Sequence, residues 1–305
     1  MRKYVVVTGA HGFLGRNVAR SFASAGYTVT GIGHGNWDRP EAQNFGLTFW
    51  HSADITLNVL VMHAREPDVI IHCAGSGSVA FSITHPLQDF NRTVSATAAV
   101  LEYIRLHSPH TVLVYPSSAA IYGDADRLPI LESDASYPVS PYGVHKHMAE
   151  DLCRSYAGHF GVAVAIVRFF SVYGEGLQKQ LLWDACSKAS LGDSSFFGTG
   201  AELRDWLHVS DAASLLLAAA YKAASSCPAV NGGSGEGVAV REVLEEVFRV
   251  YGCTLELGFN GTPRPGDPVG YQADVTAATS WDWKPVVAWR DGITRYVNWF
   301  KGRYS

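Results

Sequence analysis

The sequence predicts an α/β fold, a doubly wound parallel sheet with a smaller discontinuous α/β lobe beside it. Three observations carry this. Short β-branched runs alternate with helix-period segments through the first half of the chain, the pattern of parallel strands joined by crossover helices. A glycine-spaced segment from Thr8 to Gly15 sits directly between the first such run and the first helical segment. After Phe170 the alternation loosens into glycine-rich loops and shorter elements. At 305 residues and 47% hydrophobic, the chain is long for one domain and short for two independent ones, which favours two interleaved lobes.

Taken in order, the strands are expected at residues 4–7, 28–32, 69–73, 111–115 and 163–169. A helix over 16–25 follows the glycines and is closed by Gly26. From Pro86 a longer helix carries Phe90, Val94, Thr97, Leu101 and Ile104 on one stripe and ends before Pro109. A second long helix runs from Pro141 to His159, and a third covers 209–223. The looser half holds loops at 174–176, 197–200, 231–237 and 262–268, which build either a binding site or plain polar surface.

Composition narrows the function. A net charge of −4 with dispersed Lys and Arg excludes a basic groove for nucleic acid. Five cysteines, at 73, 153, 186, 227 and 253, are odd in number and none are spaced CxxC, which reads as reduced thiols and not as a disulfide framework or zinc site. No apolar run approaches the ~18 residues that a membrane helix needs. The strand at 4–7 runs straight into the glycines, leaving no room for a signal-peptide cleavage region. A soluble, cytoplasmic protein is expected.

Two motifs carry chemistry. Gly9, Gly12 and Gly15, between strand and helix, let backbone amides and a helix dipole approach a pyrophosphate, so the first lobe reads as Rossmann-like. Tyr142 and Lys146 are four residues apart on a helix and share a face, where an ammonium lowers the phenol pKa for proton transfer. The segment Ser117-Ser118-Ala119-Ala120 upstream completes a Ser/Tyr/Lys set.

With these residues the chain resembles the extended short-chain dehydrogenase/reductase family, in its NAD(P)-dependent nucleotide-sugar epimerase, dehydratase and 4-ketoreductase branch. The motifs in family order are TGAHGFLG at 8–15, HCAG at 72–75, SSAAIYG at 117–123, YGVHK at 142–146, RFFSVYG at 168–174, RDWLHVSD at 204–211 and RPGDP at 264–268. The resemblance implies a cofactor lying along Gly9, His11, Gly12, Phe13, Leu14 and Gly15. It would pass His34, Arg39, Asp54 and Ile55, the last two against adenine, then Cys73, Ala74 and Gly75, to reach Tyr142 and Lys146. Tyr142 would be the acid/base at the sugar oxygen, Lys146 its pKa partner and ribose ligand, and Ser118 a hydrogen-bond donor to that oxygen. Ser78, Ser118 and Ser171 would line the substrate, a nucleotide-diphosphate sugar, with Arg204 and Arg264 on its diphosphate and Asp267 on its ribose. Taken alone, Arg204 reads equally as an ion pair with Asp205.

The departures from the family pattern are specific. Ser171 and Thr93 stand where the family usually places asparagines. Ala119-Ala120 replaces the Asp-Glu pair of the 4,6-dehydratases, which disfavours dehydration. Gly33 stands where NAD-specific folds carry an acid, with His11, His34 and Arg39 nearby, which leans towards NADP with NAD as the alternative. His145 and His147 point to other helix faces than Lys146 and form no metal pair. Cys73 reads as a small buried thiol, and Trp281, Trp283, Trp289 and Trp299 as core and docking residues.

Together these imply lobes of 1–171 plus 205–234 for the cofactor and 172–204 plus 235–305 for the nucleotide sugar. The expected reaction is oxidoreduction at sugar C4, foremost as a 4-keto-(6-deoxy)hexose reductase. Three points favour that: tolerance of NADP, a chain shorter than family epimerases, and Gly77 where galactose epimerases carry a lysine that helps retain the nicotinamide. An NAD-dependent 4-epimerase is the alternative, and a non-enzymatic NAD(P) sensor, which would be expected to lose Tyr142 or Lys146, a second. A homodimer is expected, pairing the stripe Phe90, Val94 and Leu101 and the helix carrying Met148, Leu152 and Tyr156 with a second copy.

Overall fold

The structure, a computed structural model, describes residues 3–262 and 270–303. Its strands are β1 (Tyr4–Thr8), β2 (Thr28–Gly33), β3 (Phe49–Ser52), β4 (Val69–His72), β5 (Val112–Ser118), β6 (Val164–Phe169), β7 (Ser171–Tyr173), β8 (Ser195–Phe196), β9 (Leu203–His208), β10 (Ala229–Gly232), β11 (Gly237–Ala239) and β12 (Gly258–Phe259). The α-helices are α1 (Phe13–Ser24), α2 (Arg39–Asn44), α3 (Leu57–His63), α4 (Val79–Thr84), α5 (Pro86–Phe90), α6 (Ala96–His107), α7 (Pro141–Phe160), α8 (Gln180–Leu191), α9 (Val209–Lys222), α10 (Val240–Tyr251), α11 (Thr276–Thr279) and α12 (Trp289–Lys301).

Among the described residues, seven parallel strands form one sheet in the order β10-β6-β5-β4-β1-β2-β3. The order reverses between β1 and β4, which are in register from Val5↔Val69 to Thr8↔His72. Crossovers diverge there and leave a crevice at the carboxyl ends of the strands. Strands buried on both faces read as unbroken apolar runs, and Tyr4–Thr8 and Val69–His72 are of this kind.

The two faces carry separate cores. Val5, Val7, Val18, Phe22, Leu215 and Leu216 pack α1 and α9 on one face. Val6, Ile70, Leu101, Ile104, Leu113 and Cys153 pack α6 and α7 on the other. A third core gathers Leu182, Phe196, Trp206, Leu244, Trp289 and Tyr296 from α8, β8, β9, α10 and α12. The tryptophans at 283 and 289 lie in these cores, and those at 281 and 299 pack against them.

Three expectations change. The long helix from Pro86 is broken: residues Asn91–Ser95 form a π-turn between α5 and α6, a distortion often found near functional sites. Val94 and Leu101 of the expected dimer stripe are buried in this chain's own core, while Val144 and Met148 on α7 and Leu106 on α6 are exposed. Strand β3 was not foreseen, because Phe-Trp-His-Ser at a half-exposed sheet edge shows no clean apolar period.

Among the described residues no helix is long and apolar enough to cross a membrane.

Candidate active site

The site is assembled at the carboxyl ends of β1, β4 and β5 and the first turns of α7. Its phosphate cradle begins at Gly9, whose φ is +67 and where a Cβ would stand 2.6 Å from the Ala74 amide nitrogen. A Cβ on Gly15 would meet the Gly9 carbonyl oxygen at 2.2 Å, so both positions require glycine. Gly12 caps α1 with no side-chain acceptor, leaving the amides of the first turn to an anion. This backbone fits a dinucleotide pyrophosphate, with Phe13 and Leu14 in the turn that would face it. Across the crevice, Thr8 Oγ1 and His72 Nδ1 are 2.7 Å apart, and Ala74 N donates to the same hydroxyl at 3.2 Å. These bonds fix the Cys73-Ala74-Gly75 turn. Burial pushes the Cys73 thiol up to about 12, so it stays protonated and unreactive.

At the outer end of the crevice, His11 packs against Trp37 at 4.6 Å between ring centroids, and Trp37 stacks on Phe45 at 5.1 Å. Burial, and then the charge of Arg16, lower the His11 pKa, which favours a neutral imidazole. His34 Nε2 lies 2.8 Å from Asp54 Oδ1, and Arg39 is exposed at the first position of α2. A Cβ on Gly33 would come within 3.1 Å of Gly9 Cα, so close approach of the two strand ends accounts for this glycine. Ile55 packs against the core beneath.

Tyr142 occupies the first turn of α7, where Ser140 caps the helix by accepting from Gly143 N at 3.2 Å. Its backbone amide donates to the buried Ser82 Oγ at 3.0 Å, tying the turn to α4. Ser118, at the end of β5, accepts from Ala120 N at 3.2 Å, and its hydroxyl favours the phenolate form of Tyr142. Lys146 is buried; its Nζ donates to the Pro116 carbonyl oxygen at 2.8 Å and lies 4.8 Å from the Tyr115 ring centroid. Burial brings this ammonium down to about 8.

The Tyr142 phenol differs from expectation. Burial raises its pKa, Ser118 works against the rise and Asp89 adds to it. The expected lowering by Lys146 is not found, since the ammonium turns to the Pro116 carbonyl. A phenol, a hydroxyl and an ammonium are nonetheless gathered at one end of β5, the set needed to move a proton at a substrate oxygen.

A buried ion network anchors this half of the site. Arg168 Nη2 lies 2.9 Å from Glu150 Oε2 and its Nη1 reaches the Tyr122 hydroxyl at 2.8 Å; that hydroxyl donates to Asn231 Oδ1 at 2.7 Å. The network binds α7, β6 and the turn after Ser118 into one unit.

The substrate-side candidates are dispersed. Ser78 caps α4, accepting from Phe81 N at 3.2 Å, and Ser171 opens β7 half-buried. Arg204 donates to its neighbour's carbonyl, Leu203 O, at 2.8 Å and lies 6.0 Å from the Tyr271 ring centroid. Asp205 is fully buried and accepts from Ser234, Gly235 and Ala273 amides, so it serves as a loop anchor. Arg264 and Asp267 lie outside the described residues.

Two features escaped the sequence reading. Lys179, at the start of α8, places Nζ 3.5 Å from the Gly77 carbonyl oxygen and 3.6 Å from where a Gly77 Cβ would stand. His145 Nδ1 lies 2.5 Å from Asp89 Oδ2, so this histidine, read as bland, joins a buried pair. Neither contact has a local spacing signal, because each joins elements far apart in the chain.

Residues 5–231 match the NAD dependent epimerase/dehydratase family. The chain belongs to that family. The resemblance to extended short-chain dehydrogenases/reductases therefore holds, and the protein is an NAD-dependent enzyme of the epimerase/dehydratase kind. It is 30% identical to the UDP-glucose 4-epimerase of Azospirillum brasilense, over 87% of this chain and 82% of that protein. The solved structure of MoeE5 with UDP-glucuronic acid and NAD is 28% identical, with a TM-score of 0.88 over 98% of this chain and 99% of that one. The UDP-glucose 4-epimerase of Thermotoga maritima, at 24% identity, shares the fold, with a TM-score of 0.89 over 99% of this chain and 100% of that chain.

Proposed function

We propose that this family member is an NAD-dependent 4-epimerase of a nucleotide-diphosphate hexose. The observation that carries the proposal is Lys179 at Gly77. The sequence favoured a reductase partly because Gly77 takes the place of a cofactor-retaining lysine. An ammonium delivered from α8 to within 3.6 Å of that Cβ position removes the objection. The similarity to the UDP-glucose 4-epimerase of Azospirillum brasilense supports the same reading, and so reverses the order in which the sequence ranked reductase and epimerase.

NAD in place of NADP is supported by the adenosine end of the crevice. Of the three basic neighbours proposed for a 2′-phosphate, His11 has its charge disfavoured, His34 is paired with the Asp54 carboxylate, and Arg39 is exposed. MoeE5 was solved with NAD. The cradle of Gly9, Gly12 and Gly15 would hold the pyrophosphate, with Cys73, Ala74 and Gly75 along the crevice and Lys146 on the ribose.

Held there, NAD would supply reversible hydride acceptance at sugar C4. Tyr142 removes the C4 hydroxyl proton and later returns it, and Ser118 holds the sugar oxygen by hydrogen bonding. Ser78, Ser171, Arg204, Arg264 and Asp267 remain the proposed substrate contacts, in a cleft between lobes 1–171/205–234 and 172–204/235–305. A cytoplasmic homodimer completes the proposal.

The test supplies UDP-glucose, UDP-galactose and their N-acetyl forms with no added cofactor, alongside nucleotide 4-keto-6-deoxyhexoses with NADPH. Interconversion of a UDP-sugar pair is expected. Stoichiometric NADPH consumption on a ketone, with no interconversion, would overturn the reading.

A further inference from the structure

His145 lies on α7 between Tyr142 and Lys146, and its ring faces away from both, into the packing against α5. There its Nδ1 stands 2.5 Å from Asp89 Oδ2, with Phe90 edge-on at 5.5 Å between ring centroids. Asp89 is fully buried. Its second oxygen, Oδ1, is buried and has no hydrogen-bond partner among the described residues. A buried carboxylate with one satisfied oxygen is costly and persists where a specific contact offsets it.

The surroundings show which groups feel this carboxylate. From α7, Tyr142 and Lys146 both respond to the Asp89 charge, which favours the protonated form of each. Lys146 also feels Cys73 beside β4 and Glu150 and Cys153 on α7, while the Tyr142 phenolate would raise the pKa of Tyr115 on β5. Asp89 is thus the carboxylate that acts on the phenol and the ammonium together.

We propose that Asp89 and His145 are a positioning pair acting through Tyr142: Asp89 sets a negative charge behind the phenol, and the His145 N–H offsets part of it. The pair would hold the phenol's proton affinity high enough to return a proton to the sugar oxygen, yet low enough to remove one. It also clamps α5, and the π-turn that carries Thr93, to the catalytic helix. The proposal rests on Tyr142 as the proton-transfer group.

The test reads Tyr142 itself, with no substrate. Ultraviolet phenolate titration of each protein is compared with the same protein carrying Tyr142→Phe, which isolates one tyrosine. Asp89→Asn should lower the Tyr142 titration point and His145→Leu should raise it, each by about half a unit or more. His145→Gln keeps an N–H donor and should return it towards wild type. The double variant Asp89→Asn/His145→Leu should follow Asp89→Asn, since no charge is left to offset. A merely structural role would move both single variants in the same direction, and that result overturns the proposal, as does no shift in either. Should His145→Leu fail to fold, Asp89→Asn decides: an unchanged titration point refutes the pair. Failure here leaves the epimerase assay untouched, because turnover and titration are read separately.

Discussion

Lys179 Nζ reaches the Gly77 carbonyl oxygen at 3.5 Å, joining the start of α8 to the turn that leads into α4. Shielding of its head group lowers the Lys179 pKa, although the side chain as a whole remains exposed. A partly desolvated ammonium gains most from an anionic neighbour. Lys179→Ala is therefore expected to release cofactor about 10-fold more readily, equivalent to ~1.4 kcal/mol. Nucleotide remaining on the protein after gel filtration measures this. Equal retention by variant and wild type would remove Lys179 from the cofactor account.

Lys146 gives a pH signature. Its pKa is about 8 in the folded chain against an ordinary 10.5, with burial as the main cause. Between those values the unfolded chain holds the proton more strongly, so this group makes stability rise as pH rises from about 8 to 10.5. Below about 8 the cost of burying the charge is fully present. Lys146→Met should therefore be more stable than wild type at pH 7, by up to about 3 kcal/mol less ~1 kcal/mol for the lost bond to Pro116. The gain should shrink towards high pH. Thermal melts across the range check it, and a variant less stable at every pH would contradict it.

The assembly prediction is revised by burial. With Val94 and Leu101 committed to the core, the large apolar side chains left exposed on α6 and α7 are Leu106, Val144, Met148 and Phe160. Met148→Glu is expected to convert a dimer into a 33.0 kDa species in sedimentation at micromolar concentration. A wild-type protein that is already monomeric there would refute the dimer.

Much of this architecture was legible because its signals are local. Glycine spacing after Tyr4–Thr8 announces backbone crowding, and that crowding is found where Gly15 meets Gly9. The four-residue spacing of Tyr142 and Lys146 fixes a shared helix face, but it does not fix where the ammonium points. Lys146 turns to Pro116, so the lowered phenol pKa inferred from spacing alone gives way to the effect of burial. The π-turn at Asn91–Ser95 was invisible because the apolar residues on either side keep a helical period through it. Lys179 at Gly77 and Asp89 at His145 depend on tertiary approach, which no window of sequence encodes.

The most direct measurement follows the C4 hydrogen of the sugar. UDP-galactose deuterated at C4 is given to the NAD-loaded protein, with the Tyr142→Phe variant in parallel, and the products are read by nuclear magnetic resonance. The account predicts UDP-glucose with deuterium still on C4, no net reduced cofactor, and turnover at least ~10²-fold lower in the variant. Loss of the label to solvent, a product formed only as NADPH is consumed, or a variant with more than half the wild-type rate would contradict it.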